Sequence, residues 1–231
     1  MDTKSLQKIF SEVPQTYEMT NHVLTMGMDM IWRGKAARLA AQFGGQRWLD
    51  ICSGTGDTAM LLRRLAGPRT MVVSQDFCMP MLRKGMSKPG SDKISFCISN
   101  ARSHSFKDNT FDVATISFAT RNINSGRETL TRYFKEFHRI LKPGGKFINL
   151  ETSQPRNKML RRLFHLYVRH AVMPIGYAIS GSKAAYKYLS STIPVFFGSE
   201  ELSDILYEAG FKSVSFSRMT LGACAIHVAV K

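Results

Sequence analysis

Asp50-Ile51-Cys52-Ser53-Gly54-Thr55-Gly56-Asp57 sets a carboxylate on either side of a glycine turn, directly after an apolar stretch, Arg47 to Cys52, that reads as a β-strand. Gly54 and Gly56 permit positive φ and close approach of a ligand to the backbone. The run that follows, Ala59-Met60-Leu61-Leu62, opens a helix whose free N–H groups face the turn. The combination reads as a pocket for a nucleotide-type cofactor. The spacing Gly54-x-Gly56-x-x-Ala59 also fits a dinucleotide site. Charge separates the two. A pyrophosphate would meet Asp50 and Asp57, whereas the same carboxylates stabilise the sulfonium and ammonium of S-adenosylmethionine. About 20 residues further on, Asp76 ends a second apolar stretch, Thr70 to Ser74, where a carboxylate can accept both ribose hydroxyls.

Two further segments sit where chemistry is expected, beyond the carboxyl ends of strands. Asn100-Ala101 follows a third apolar run, and an Asn beside a small Ala can hold the edge of an adenine ring; an Asn at such a turn can equally serve the backbone alone. Ser117-Phe118-Ala119-Thr120-Arg121-Asn122 follows a fourth. The planar, permanently charged guanidinium of Arg121 suits an oxyanion, and an ordinary ion pair to a helix carboxylate is the competing reading.

The elements that must position these residues alternate regularly. Strands are expected over 47–52, 70–74, 94–98, 111–118 and 146–150, with helices over 57–66, 78–87 and 127–141. Lys142-Pro143-Gly144-Gly145 ends the last of these helices, with a cation near its C-terminus and glycines able to turn left-handed. A helix from Glu200 to Ala209 and strands over Ser213–Arg218 and Ala223–Val230 complete the pattern of an α/β, doubly wound, mostly parallel sheet. A single domain of 1–231 is expected: a helical N-terminal piece (1–43), a sheet core (44–152 and 198–231), and a helical insertion (153–197) over the substrate site.

A chain of 231 residues, 44% hydrophobic, can bury a core without metal or disulfide support. Cysteines 52, 78, 97 and 224 form no C-x-x-C pair, and no histidines have convincing metal-ligand spacing, so no metal is expected. No apolar run is long enough to cross a membrane, and the start has no signal-peptide pattern. A formal net charge of +15 predicts attraction to an anionic surface, nucleic acid or membrane. Basic residues concentrate between Arg156 and His170. There Met159, Leu160, Leu163, Leu166 and Tyr167 recur at helical spacing opposite Lys158, Arg161, Arg162 and Arg169. Such a helix either rests on an anionic bilayer or packs on the core with a solvated basic face.

Further segments give the chain a recognisable character: Asp108-Asn109-Thr110-Phe111-Asp112, Leu141-Lys142-Pro143-Gly144-Gly145, Tyr186-Lys187-Tyr188-Leu189 and Ala209-Gly210-Phe211. With Leu49 to Asp57 and the Ser117–Asn122 segment, they resemble the S-adenosylmethionine-dependent C-methyltransferases of ubiquinone and menaquinone biosynthesis. The likeness extends from Tyr17, Asn21 through Gly27 and Trp32-Arg33 to Leu221-Gly222 and His227. The resemblance implies a class I methyltransferase fold. It also implies methyl transfer from S-adenosylmethionine to a ring carbon of a polyprenyl quinol. By position, Thr55, Asp76, Asn100, Ala101 and Ser117 match cofactor-contacting residues, Asp50, Gly54 and Gly56 shape that pocket, and Arg121 and Asn122 match the pair acting at the quinol.

The resemblance further implies a cytoplasmic protein in transient, peripheral contact with the inner face of an anionic membrane. It leaves room for self-association or association with other quinone-biosynthesis enzymes. Three positions depart from the family pattern: Ala119-Thr120 for Gly and an aliphatic residue, Arg102 for Glu, and Ala184 for the Asp that precedes Tyr-x-Tyr-Leu. If that Asp serves the quinol, either another group such as Tyr188 or Glu18 replaces it or the enzyme takes a different acceptor. The runner-up reading is a methyltransferase for another small molecule or RNA. Nucleic acid is not the expected partner, because neither an Asn/Asp-Pro-Pro-aromatic segment nor a cysteine nucleophile follows Ser117. A non-catalytic scaffold would leave the glycine turn unexplained.

Overall fold

The computed structural model describes residues 3–231, and three helices precede its sheet: α1 (Thr3–Ser11), α2 (Tyr17–Thr25) and α3 (Met28–Phe43). Between α2 and α3 the chain turns through left-handed Met26 and Gly27 (φ 53° and 77°). Asp29 clamps this corner by accepting from the Thr25 hydroxyl at 2.9 Å and lying 2.8 Å from His22 Nδ1.

The alternation read from the sequence follows as β1 (Arg47–Ile51), α4 (Asp57–Leu65), β2 (Met71–Asp76), α5 (Met79–Met86), β3 (Ser95–Ile98) and β4 (Phe111–Ser117). Next come α6 (Thr120–Ile123), α7 (Arg127–Ile140) and β5 (Leu141–Thr152). The insertion consists of α8 (Lys158–Tyr167), a π-helical turn (Val168–Val172), α9 (Met173–Ser180) and α10 (Lys183–Thr192). The chain closes with α11 (Ser199–Glu208), β6 (Ser213–Met219) and β7 (Cys224–Val230).

The seven strands lie in the order β3-β2-β1-β4-β5-β7-β6, with β1 to β5 parallel and β7 antiparallel to both neighbours. This is the expected doubly wound sheet. In β1, Trp48, Leu49, Asp50 and Ile51 are all buried, as a parallel strand covered on both faces requires. Leu49 and Ile51 join Leu130, Phe134 and Phe137 of α7, whose apolar stripe recurs at helical spacing, together with Leu202 and Leu206 of α11. Trp48 faces the other way, onto Ala36, Ala37 and Ala40, whose small side chains let α3 lie close on the sheet.

Beyond shifts of one or two residues at the element ends, two features differ from the sequence reading. Lys142 to Gly145 do not form a separate turn but lie in β5, where the register with β4 shifts between Phe111 and Val113. Lys142 pairs with Asp112 at 2.7 Å instead of capping α7. The segment after β4, for which the sequence predicts no element, contains the single turn α6, in which Thr120 is fully buried and its hydroxyl donates to Asn149 Oδ1. That bond satisfies the buried Thr120 hydroxyl.

Candidate active site

The strand order reverses between β1 and β4, so their carboxyl ends splay apart and leave a crevice. A cavity of about 270 Å³ occupies it, lined by the glycine turn (Cys52 to Thr55), Asp57, Asp76, Asn100-Ala101 and Ser117 to Ala119. The turn is built from left-handed backbone: Cys52, Gly54 and Gly56 have φ of 51°, 57° and 78°. A Cβ at Gly54 would meet no protein atom, so a side chain there would enter open space as well as strain the backbone. Asp76 fixes the turn by accepting from the backbone N–H of Gly54 and of Cys78, each at 2.8 Å. Burial raises its pKa, and those N–H groups pull it back down.

The two acids flanking the turn have different fates. Asp57 lines the cavity but is bridged by Lys88 at 2.5 Å, and Lys88 also reaches Glu18 at 2.7 Å. Asp50 lies behind the wall, 1% exposed, with one oxygen accepting from Thr115 Oγ1 at 2.7 Å and the other without a partner. Burial raises its pKa to about 7, opposed by the Thr115 bond and the charge of Arg33. Asn100 is an Asx turn whose side-chain oxygen accepts from the Arg102 N–H at 2.9 Å, so its amide NH₂ is what remains for a ligand. Ser117 Oγ is buried and unpartnered at the cavity wall.

A second cavity, also about 270 Å³, lies between the N-terminal helices and the insertion. Its walls are largely apolar, with Leu24, Trp32, Phe164, Val168, Val172 and Ile193 among them. Arg121 enters this chamber and not the first. The guanidinium, on a residue only 5% exposed, donates from Nη1 to Thr192 Oγ1 at 2.5 Å, and its Nε has no partner. The backbone beneath is held where the Arg121 N–H donates to Glu151 Oε2 at 3.0 Å. No carboxylate side chain pairs with the Arg121 side chain among the described residues, so the ion-pair reading is set aside. Phe10, Tyr17, Arg33, Phe118 and Asn122 line both chambers and form the partition, and Asn122 Oδ1 is buried without a donor.

The model of the ubiE/COQ5 methyltransferase family matches residues 1–231. The chain belongs to that family. It is 32% identical to the demethylmenaquinone methyltransferase of Bacteroides fragilis, over 99% of this chain and 93% of that one. It is 35% identical to the ubiquinone/menaquinone biosynthesis C-methyltransferase UbiE of Pseudomonas putida, over 99% and 89%. Among solved structures, a possible histamine N-methyltransferase from Thermotoga maritima superposes with a TM-score of 0.68 at 18% identity, covering 97% of this chain and 98% of the other. That likeness places the fold among S-adenosylmethionine-dependent methyltransferases.

The protein is therefore an S-adenosylmethionine-dependent C-methyltransferase. The first chamber suits that cofactor. It pairs a carboxylate at a strand end with an open glycine backbone, an unpartnered Ser117 hydroxyl and a free Asn100 amide. Of the ten site positions named from the sequence, Gly54, Thr55, Asp76, Asn100, Ala101, Ser117 and Asn122 line it; Gly56 caps α4, Asp50 lies behind, and Arg121 faces the second chamber.

Ala184 is exposed on α10, so an Asp there would stand outside the chambers, and no cavity carboxylate has been lost with it. Glu18 is committed to Lys88 and lines neither chamber, which removes it as a replacement. Tyr17, Arg33 and Phe118 were missed as site residues. Tyr17 and Arg33 are reached only by folding α2 and α3 against the sheet, and their one trace in the sequence was the family resemblance. Gly85 on α5 was missed as well: a Cβ there would stand 3.2 Å from Thr55 O of the glycine turn and 3.1 Å from Phe96 Cε1, so α5 lies tightly against the turn.

Proposed function

We propose that the enzyme methylates a ring carbon of a polyprenyl quinol, the step named for its demethylmenaquinone and ubiquinone/menaquinone relatives. The observation that carries the reading is the apolar chamber beside the cofactor chamber, with a buried, unpaired guanidinium inside it. When bound, S-adenosylmethionine supplies an electrophilic methyl group. A neutral aromatic carbon is a weak nucleophile, and ionising the adjacent ring hydroxyl raises its electron density. Arg121 presents an unpartnered Nε where an oxyanion can be held, and apolar walls strengthen that attraction. Asn122 Oδ1, on the partition, is free to accept from the ring hydroxyl and orient the ring.

Tyr188 lines the chamber, and burial raises its pKa further above the ordinary phenol value against the opposing charge of Arg121, so its hydroxyl is available as a donor. Asp76, Asn100, Ala101, Ser117, Gly54 and Thr55 hold the cofactor. Arg121→Lys should lower turnover about ten-fold or more with cofactor affinity nearly unchanged, since lysine cannot reproduce the planar fork. Turnover on demethylmenaquinol, set beside calorimetric cofactor affinity, tests this. Near-normal turnover with a lowered melting temperature would make Arg121 structural.

The same reading brings the enzyme to a bilayer, where a polyprenyl quinol resides. No described helix is long and apolar enough to cross a membrane. The stretch packs on the core through Phe164 and the buried Val168, but α8 itself has no fully buried residue, and Met159, Leu163 and Leu166 are exposed at 66%, 55% and 52%. Leu160, Phe164 and His165 turn partly inward, and Phe164 and Tyr167 reach the chamber wall. Exposed Lys158, Arg162 and Arg169 flank this apolar stripe. Each basic residue near an anionic bilayer contributes about 1 kcal/mol, enough in sum for reversible contact. Lys158→Glu with Arg162→Glu should weaken sedimentation with anionic vesicles and slow methylation of long-chain quinol, while sparing a short-chain analogue. Undiminished sedimentation, or equal losses on both substrates, would overturn membrane contact.

A further inference from the structure

Two arginines, Arg33 and Arg121, are each 5% exposed, and neither forms an ion pair among the described residues. A guanidinium taken out of water without an anion is costly, so two facing internal cavities imply anions delivered by ligands. The reaction offers two: the carboxylate of the cofactor's methionine portion and the phenolate that develops on the acceptor. Arg121 lines only the apolar chamber, whereas Arg33 lines both.

The tether of Arg33 tells the two apart. Its Nη1 donates to Thr58 Oγ1 at 3.0 Å, and Thr58 lies in the first turn of α4, immediately after the glycine turn. The guanidinium carbon lies over the Phe118 ring, 5.0 Å from its centroid, which holds the fork at the partition. Nε is buried without any acceptor. Of the acids of that neighbourhood, Asp57 is bridged by Lys88, and Asp50, behind the wall, accepts from Thr115 with one oxygen, keeps the other unpartnered and forms no ion pair with Arg33. The Arg33 guanidinium and the N-terminus of α4 thus meet at the cofactor chamber, where a cation and a helix N-terminus both favour an anion.

We infer that Arg33 anchors the carboxylate of the methionine portion of S-adenosylmethionine, leaving Arg121 for the acceptor. The inference rests on the identity of the cofactor and is independent of which quinol is methylated. It also gives an account of a cation in a site otherwise built for a sulfonium: the carboxylate is the one part of that ligand that a guanidinium attracts.

Calorimetry with S-adenosylmethionine and with decarboxylated S-adenosylmethionine, which keeps the sulfonium and amine, isolates the contact. Wild-type protein should bind the decarboxylated ligand about ten-fold or more weakly, in line with loss of a charge-assisted contact. Arg33→Met should weaken S-adenosylmethionine by a similar factor and change the decarboxylated ligand less than about two-fold, with Arg33→Lys recovering part of the loss. Arg121→Met should leave this preference intact. Equal weakening of both ligands by Arg33→Met would reduce Arg33 to scaffold. A carboxylate-selective loss in Arg121→Met instead would reverse the assignment. Were Arg33→Met unfolded, the Arg33→Lys measurement and the wild-type preference decide alone: indifference of either to the carboxylate overturns the inference.

Discussion

The two chambers have the same volume, about 270 Å³, and are made in opposite ways. The cofactor chamber is set around backbone features, a left-handed turn, strand ends and the start of a helix, and closed by side chains such as Phe77, Met81 and Tyr133. The acceptor chamber is side chain, gathered from α2, α3, the α6 turn and the helices of the insertion around a small core of Leu24, Val168, Val172, Tyr186 and Ile193. A pocket of the first kind tolerates little change in backbone and much in neighbouring surface. One of the second kind can be reshaped without touching the sheet, so a fold of this kind can keep its cofactor while its acceptor varies.

Two glycines, one behind each chamber, make the contrast measurable. A Cβ on Gly176 would stand 2.1 Å from Tyr186 Cδ1, a buried ring on the acceptor wall. Gly176→Ala should therefore cost about 1 to 3 kcal/mol of stability by overpacking and weaken acceptor binding, leaving cofactor affinity unchanged. Denaturant unfolding and calorimetry check it, and an equal loss of cofactor affinity would break the separation of the chambers. Gly85→Ala acts on the other side. Its Cβ would meet Thr55 O at 3.2 Å and Phe96 Cε1 at 3.1 Å, pressing on the glycine turn. Alanine gains about 1 kcal/mol in helix propensity, which offsets the crowding, so stability should barely move while cofactor affinity falls a few-fold. Unchanged cofactor affinity would mean that the turn yields without consequence.

The same contrast explains what the sequence disclosed. Asp50 to Asp57, Asp76, Asn100-Ala101 and Ser117 sit at strand ends, where local pattern fixes both the element and its exit, so the sheet and most of the cofactor wall were legible. Charge type alone did not disclose that Asp50 would be covered, because burial depends on Thr115 of the neighbouring strand, 65 positions away. Arg33 and Tyr17 had no signal in spacing, since their place on the partition follows from how α2 and α3 dock. The outward apolar stripe of α8 was equally hidden: periodicity gives the two faces of a helix and not which of them the fold covers.

The last test concerns protons. Asp50 belongs to the cofactor side alone, and with its pKa raised to about 7 by burial it is protonated in the folded apoenzyme below neutrality. A carboxyl whose folded pKa lies above its unfolded value stabilises the protein at low pH, and that contribution is lost as pH rises through about 7. Cofactor binding should run the other way. A bound sulfonium favours the ionised carboxylate, so binding releases a proton and affinity should rise with pH up to about 7 and then level. Asp50→Asn removes a titrating group from both measurements: relative to wild type, its unfolding free energy should fall less between about pH 4 and 7, and its cofactor affinity should change less over the neutral range. Acceptor affinity, in a chamber whose tyrosine pKa values are raised by burial, should show no such difference between the two proteins. If Asp50→Asn alters the pH dependence of acceptor binding as much as that of cofactor binding, the partition of Phe10, Tyr17, Arg33, Phe118 and Asn122 does not insulate one chamber from the other.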